Sequence, residues 1–149
     1  MSPDPIQTLN AQARVRQLAD LTRRLTERLS FELKAFQERR PQDVLPGLQE
    51  TQDLAGLYRR ESAQLKAAPA VLAAAPVGER QALARLTQAF EAVLVQHASA
   101  VEAARTISEG LVRTIAQEAA AQRGSPAGYG ASGQAAAADG RAFALNRTA

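Results

Sequence analysis

The chain has 149 residues, a net charge of +3, 46% hydrophobic but only 4% aromatic residues, and no Cys or Trp. That size suits one domain with a modest core, and the lack of Cys excludes a disulfide framework and a thiolate metal site while fitting a reducing compartment. All but Lys34 and Lys66 of the eighteen cations are Arg, interspersed with fifteen acids, which is the pattern of solvated helix faces rather than of a nucleic-acid surface.

Much of the apolar content is Ala, which favours helix and fills little volume, so narrow helix–helix seams are expected rather than a thick core. Met1-Ser2-Pro3-Asp4-Pro5 has neither a basic start nor an apolar run, so no secretory leader is expected. The longest apolar stretch, Ala67 to Val77, is interrupted by Pro69 and Pro76 and is too short to span a bilayer. The expectation is a soluble cytoplasmic protein with no stable membrane insertion.

The first helix is expected from Ile6 or Leu9 to Glu38. Leu18, Leu21, Leu25, Leu29, Leu33 and Phe36 recur at steps of three or four and form one stripe. Asp4-Pro5 is a start signal. Arg39-Arg40-Pro41 is a stop: cations suit the terminal carbonyls, and the residue before Pro is pushed out of helical geometry. A second helix is expected over 42–67, with Pro46 in its first turn. Its apolar set, Val44, Leu45, Leu48, Leu54, Leu57, Tyr58 and Leu65, is looser, and Gly56 weakens it by about 1 kcal/mol relative to Ala. The linker 68–78 is Ala-rich with Pro near both ends and has room for a helical turn.

The third helix, expected over 79–122, carries the clearest periodicity. Leu83, Leu86, Phe90, Val93 or Leu94, His97, Val101, Ala104, Ile107 or Ser108, Leu111 and Ile115 follow a heptad-like spacing. Such a rod is about 65 Å long at roughly 1.5 Å per residue. Gly124 and Pro126 are its stop signal. It cannot bury its stripe alone, and the first helix is long enough to serve as an antiparallel partner with the second adding to the seam. The fold class is therefore all-α: an antiparallel bundle of three long helices, or extended helical hairpin, over residues 1–123. Residues 124–149 form the tail. Gly124, Gly128, Gly130, Gly133 and Gly140 make up more than half of the chain's nine Gly, and the tail's larger apolar residues are Tyr129, Phe143 and Leu145. So little apolar surface cannot offset the entropy of ordering, so the tail is expected to be disordered when free.

Catalytic chemistry finds no foothold. His97, the single His, sits on the heptad stripe, where a polar residue commonly sets register, and no second His or Cys exists to build a metal site with it. Ser and Thr lack a nearby base. Gly-Tyr-Gly-Ala-Ser-Gly is Gly-rich, but no strand precedes it and no Lys-Ser/Thr opens a helix after it, so it is no phosphate loop. Glu27 and Glu32 read as surface acids. No enzyme activity, cofactor or metal is expected. Arg14, Arg16, Arg23, Arg24 and Arg28 have the charge to meet phosphates, but Asp20, Glu27 and Glu32 interrupt them at intrahelical ion-pair spacing and no aromatics interleave.

What remains is protein binding. Val93 with Leu94, Ile107 with Ser108, and Leu111 with Val112 widen the third helix's stripe beyond one seam. The stripe then serves either two contact faces, one for the bundle and one for a partner helix or a second copy, or a single internal core. Long amphipathic helices followed by Gly128-Tyr129-Gly130-Ala131-Ser132-Gly133-Gln134, and closing at Phe143-Ala144-Leu145-Asn146, resemble the FlgN family of flagellar type III export chaperones. The likeness is spread over most of the chain. Ala104-Arg105-Thr106-Ile107-Ser108-Glu109-Gly110-Leu111, leading into Ile115-Ala116-Gln117-Glu118, is similar to alphaproteobacterial members of that family.

The resemblance implies a chaperone that binds the C-terminal helices of hook-associated proteins, the hook–filament junction components. It would prevent their premature assembly and deliver them to the export gate. It also implies that Tyr129, flanked by Gly128 and Gly130, contacts the gate's cytoplasmic domain. A mobile aromatic anchor of this kind orders at little conformational cost, and the alternative is a Tyr folded back onto the bundle end. The third helix and tail would hold the client through Leu94, Val101, Ile107, Leu111, Val112, Ile115, Phe143 and Leu145. Such a chaperone is expected to be a monomer or weak dimer. A self-associating scaffold coiled coil is the competing reading, with a helix that binds nucleic acid or membrane as a third.

Overall fold

A computed structural model of the chain describes residues 2 and 4–129, with side chains as far as Gly124. Four α-helices follow one another: α1 (Pro5–Gln37), α2 (Leu48–Ala67), α3 (Pro69–Ala74) and α4 (Val77–Tyr129). Short 3₁₀ turns at Pro41–Asp43 and Leu45–Gly47 join α1 to α2. Among the described residues there is no strand, and this part of the protein is all-α. Two compact units divide it at residues 103 and 104.

In the unit 1–103, α1 is the central element. It starts where Asp4 accepts the Ile6 N–H at 3.1 Å and Pro5 takes the first helical position, which needs no N–H donor. Its buried residues are Ala11, Val15, Leu18, Leu21, Thr22, Leu25, Leu29, Glu32, Leu33 and Ala35, the expected Leu stripe joined by Ala, Val, Thr and Glu32, with Phe36 only half-buried. The helix ends in a left-handed Arg39 at φ 59°. The Arg39 and Arg40 N–H groups donate back to the carbonyls of Phe36 and Ala35 at 3.1 and 2.8 Å, which satisfies carbonyls the helix end would otherwise leave open.

Two apolar layers hold the unit together. In one, Ala11, Val15 and Leu18 meet Leu65 and Ala75, with Tyr58, Val71, Leu72, Ala74 and Leu83 around them. In the other, Leu21, Leu25 and Leu29 meet Leu54 and Phe90, flanked by Ala55, Tyr58 and Val93. Each fully buried Leu or Phe contributes about 1.5–3 kcal/mol. Early α1 residues meet late α2 residues and the reverse, so α1 and α2 are antiparallel. The start of α4 behaves differently: Arg16 meets Glu79, and Glu32 meets His97. Sixteen residues on α1 match eighteen on α4, about 24 and 27 Å of helix, so these segments run side by side in the same direction. The expected antiparallel pairing of the first helix with the long one does not form. The chain reverses once through α2, and α4 therefore begins at the end of the unit where α1 begins.

The boundaries differ in two further ways. The expected second helix, 42–67, gives up its first residues to 3₁₀ turns, because Pro46 and Gly47 keep the backbone from closing α-helical bonds there. The linker turn is α3. The expected stop of the long helix at Gln122 is not where α4 ends: the backbone is helical through Gly124 and Pro126 to Tyr129. Pro has a helical φ and forfeits one N–H bond, while Gly costs helix free energy without forbidding it. The expectation of a disordered tail falls, from residue 130 onward, outside the described residues.

Candidate partner-binding surface on α4

Two polar clasps fix the first part of α4 to α1. Near the start of α4, Glu79 accepts from Arg16 Nε at 2.7 Å and from Gln12 Nε2 at 3.2 Å, and its other Arg16 contact is 2.6 Å. The carboxyl of Glu79 is held below the usual carboxylate range, first by Arg16 and then by Gln12; the same pairing raises Arg16. Glu79 also lies in the first turn of α4, where negative charge suits the helix dipole.

The second clasp is buried. Glu32 is only 2% exposed. Its Oε1 accepts from the Thr51 hydroxyl at 2.7 Å and its Oε2 stands 2.8 Å from His97 Nε2. Phe36 meets the His97 ring edge-on at 6.1 Å, and Arg28 Nε donates to Thr51 at 3.3 Å. Three helices thus meet at one polar layer, which was expected for His97 and not for Glu32. Spacing that makes an acid look solvent-facing says nothing about a partner 65 residues away. Glu27, the other acid read as surface, is exposed.

The expected client residues divide between the two units. In 1–103, Leu83, Phe90 and Val93 turn into the core, while Leu94 and Val101 are exposed; a spacing of seven puts both on one helix face. In the unit from 104, Ile107, Leu111 and Ile115 are 69%, 59% and 57% exposed and Val112 is exposed beside them. Steps of four align the first three on one face. Gly128 and Tyr129 close α4, with only their backbone described, and Gly130, Phe143 and Leu145 lie outside the described residues. Among the described residues no group of His, Cys, Asp or Glu is arranged to hold a metal, and no helix is long and apolar enough to cross a membrane.

No protein-family model and no solved structure matches the chain. A curated relative does: the flagellar basal-body protein FlbY of Caulobacter vibrioides is 44% identical over 147 residues, covering 97% of this chain and 99% of the relative. The chain belongs to the family of the flagellar basal-body protein FlbY.

Proposed function

We propose that this protein acts in flagellar assembly as a cytoplasmic, non-enzymatic export chaperone without a cofactor. It binds the C-terminal helices of hook-associated proteins, keeps them from assembling early, and delivers them to the export gate. The observation that carries this reading is the exposed stripe of Ile107, Leu111 and Ile115 on a helix, in a chain whose family is flagellar. An amphipathic helix whose apolar face is exposed among the described residues is suited to take a client helix as a partner. Unit 1–103 serves as the anchor for α4, and the resemblance to FlgN-family chaperones gives Tyr129, between Gly128 and Gly130, the contact to the gate.

Capture from a lysate of a flagellated host tests the reading. The wild-type chain should recover hook-associated proteins and the gate component. Combined Ile107→Asp and Leu111→Asp should lose the client, and Tyr129→Ala should keep the client while losing the gate. Recovery of no export component and no filament-junction protein by the wild type sinks the proposal. The relative's description as a basal-body protein supports a second reading, in which the chain is a structural part of the basal body. That reading requires the protein to copurify with isolated hook–basal bodies, whereas a chaperone stays in the fraction holding unassembled clients.

A further inference from the structure

The exposed face of distal α4 has an order of residues that specifies how it would meet a copy of itself. Ala104, Ile107, Leu111, Ile115 and Ala119 repeat at steps of three or four, with Ile107 and Ile115 four residues to either side of Leu111. The charges on the same stretch, Arg105, Glu109, Arg113 and Glu118, alternate in sign, so the series inverts when the helix is read backwards. We propose that residues 104–118 of α4 pair with the same segment of a second copy in an antiparallel, two-fold dimer centred on Leu111. Beyond the chaperone reading, this holds whatever client the face also accepts.

Antiparallel placement with Leu111 against Leu111 sets Ile107 against Ile115 twice over, as an isologous contact requires. It also sets Glu118 level with Ala104 and Arg105. Glu118 lies seven residues from Leu111 and therefore shares its helix face, where it closes the apolar stripe. The small Ala104 opposite leaves room for its chain, and Arg105 supplies the counter-charge. Arg105 already holds Glu109 along its own helix at 3.0 Å, so Glu118 would join an existing pair. Glu109 and Arg113 stand farther round the helix and add a screened attraction across the two-fold axis. A parallel, in-register pair would instead place Glu118 beside Glu118 at the seam, the like-charge contact that specific helix pairs avoid. About four turns of such a seam make a weak dimer, which a client helix binding the same face would separate.

The chain has no Cys, so single thiols report the geometry cleanly. Under mild oxidation Leu111→Cys should link to itself. Ala104→Cys and Glu118→Cys should each stay unlinked alone and link when mixed. Sedimentation of the unmodified full chain should show a monomer–dimer equilibrium at micromolar concentration. Leu111→Asp, with helicity checked by circular dichroism, should raise the dimer dissociation constant by about tenfold or more, the loss of one buried Leu contact. Self-linking of Ala104→Cys, a monomer at every concentration, or a dimer indifferent to Leu111→Asp overturns the proposal. Client capture is read separately, so a monomer that still recovers hook-associated proteins defeats the dimer alone, and a dimer that recovers none defeats the chaperone reading alone.

Discussion

Glu32 puts a carboxylate at 2% exposure between three helices, and a buried acid is tolerable only when its oxygens are engaged. Thr51 and His97 engage one oxygen each. Taking away one partner is costlier than changing the acid for its amide, because the amide still accepts from Thr51 and still faces His97 with a hydrogen-bonding group. His97→Ala should therefore destabilise the protein by about 1–3 kcal/mol, and Glu32→Gln by clearly less, both read from urea denaturation midpoints. A Glu32→Gln loss as large as that of His97→Ala would mean that charge, not hydrogen bonding, holds the layer. At this scale the sequence was half legible. A polar residue on a heptad stripe announces itself, so His97 was found. Glu32 lies beside Leu33 on the edge of the α1 stripe, and its burial depends on Thr51 and His97 arriving from α2 and α4, which no local pattern records.

The elements carry their own costs. Arg39 sits in left-handed backbone, a conformation that disfavours a Cβ by about 1–2 kcal/mol, at the position where helices most often place Gly. Arg39→Gly should raise stability by about 1 kcal/mol, less what the more flexible unfolded chain takes back. A thermal melt with an unchanged or lower midpoint would show that the Arg39 side chain compensates. In α2, a Cβ added at Gly56 meets nothing within 4 Å, so Gly56→Ala should stabilise by about 0.5–1 kcal/mol through helix propensity alone. The α1 stripe was legible because large aliphatics at steps of three and four have one structural meaning. The direction of α4 against α1 was not, since a stripe carries no polarity and only the single reversal through α2 decides it. The end of α4 was missed because Gly and Pro raise the cost of helix without prohibiting it.

At the scale of the molecule, the buried apolar residues among those described end at Phe90, and every described side chain from Arg105 to Gly124 is exposed apart from Ala116 and Ala119. Cooperative stability should therefore reside in 1–103. A chain ending after Ala103 should melt in one transition close to that of the full chain and lose client capture. Slow amide exchange should concentrate in α1, with residues 105–124 exchanging fast unless a partner is bound. Within 1–103, attachment of α4 to α1 should also respond to acid through Glu79. Its carboxyl is depressed in the folded protein, chiefly by the Arg16 hydrogen bond and then by Gln12, so its contribution is complete above the ordinary carboxylate pKa of about 4.3 and is lost as pH falls through the lower folded value. Arg16 stays charged throughout. The wild type should then lose stability more steeply than Glu79→Gln as pH drops below about 4.5, while above that the wild type should be the more stable. Parallel acid limbs for the two proteins would mean that the Arg16–Glu79 clasp is too screened by solvent to help hold α4 in place.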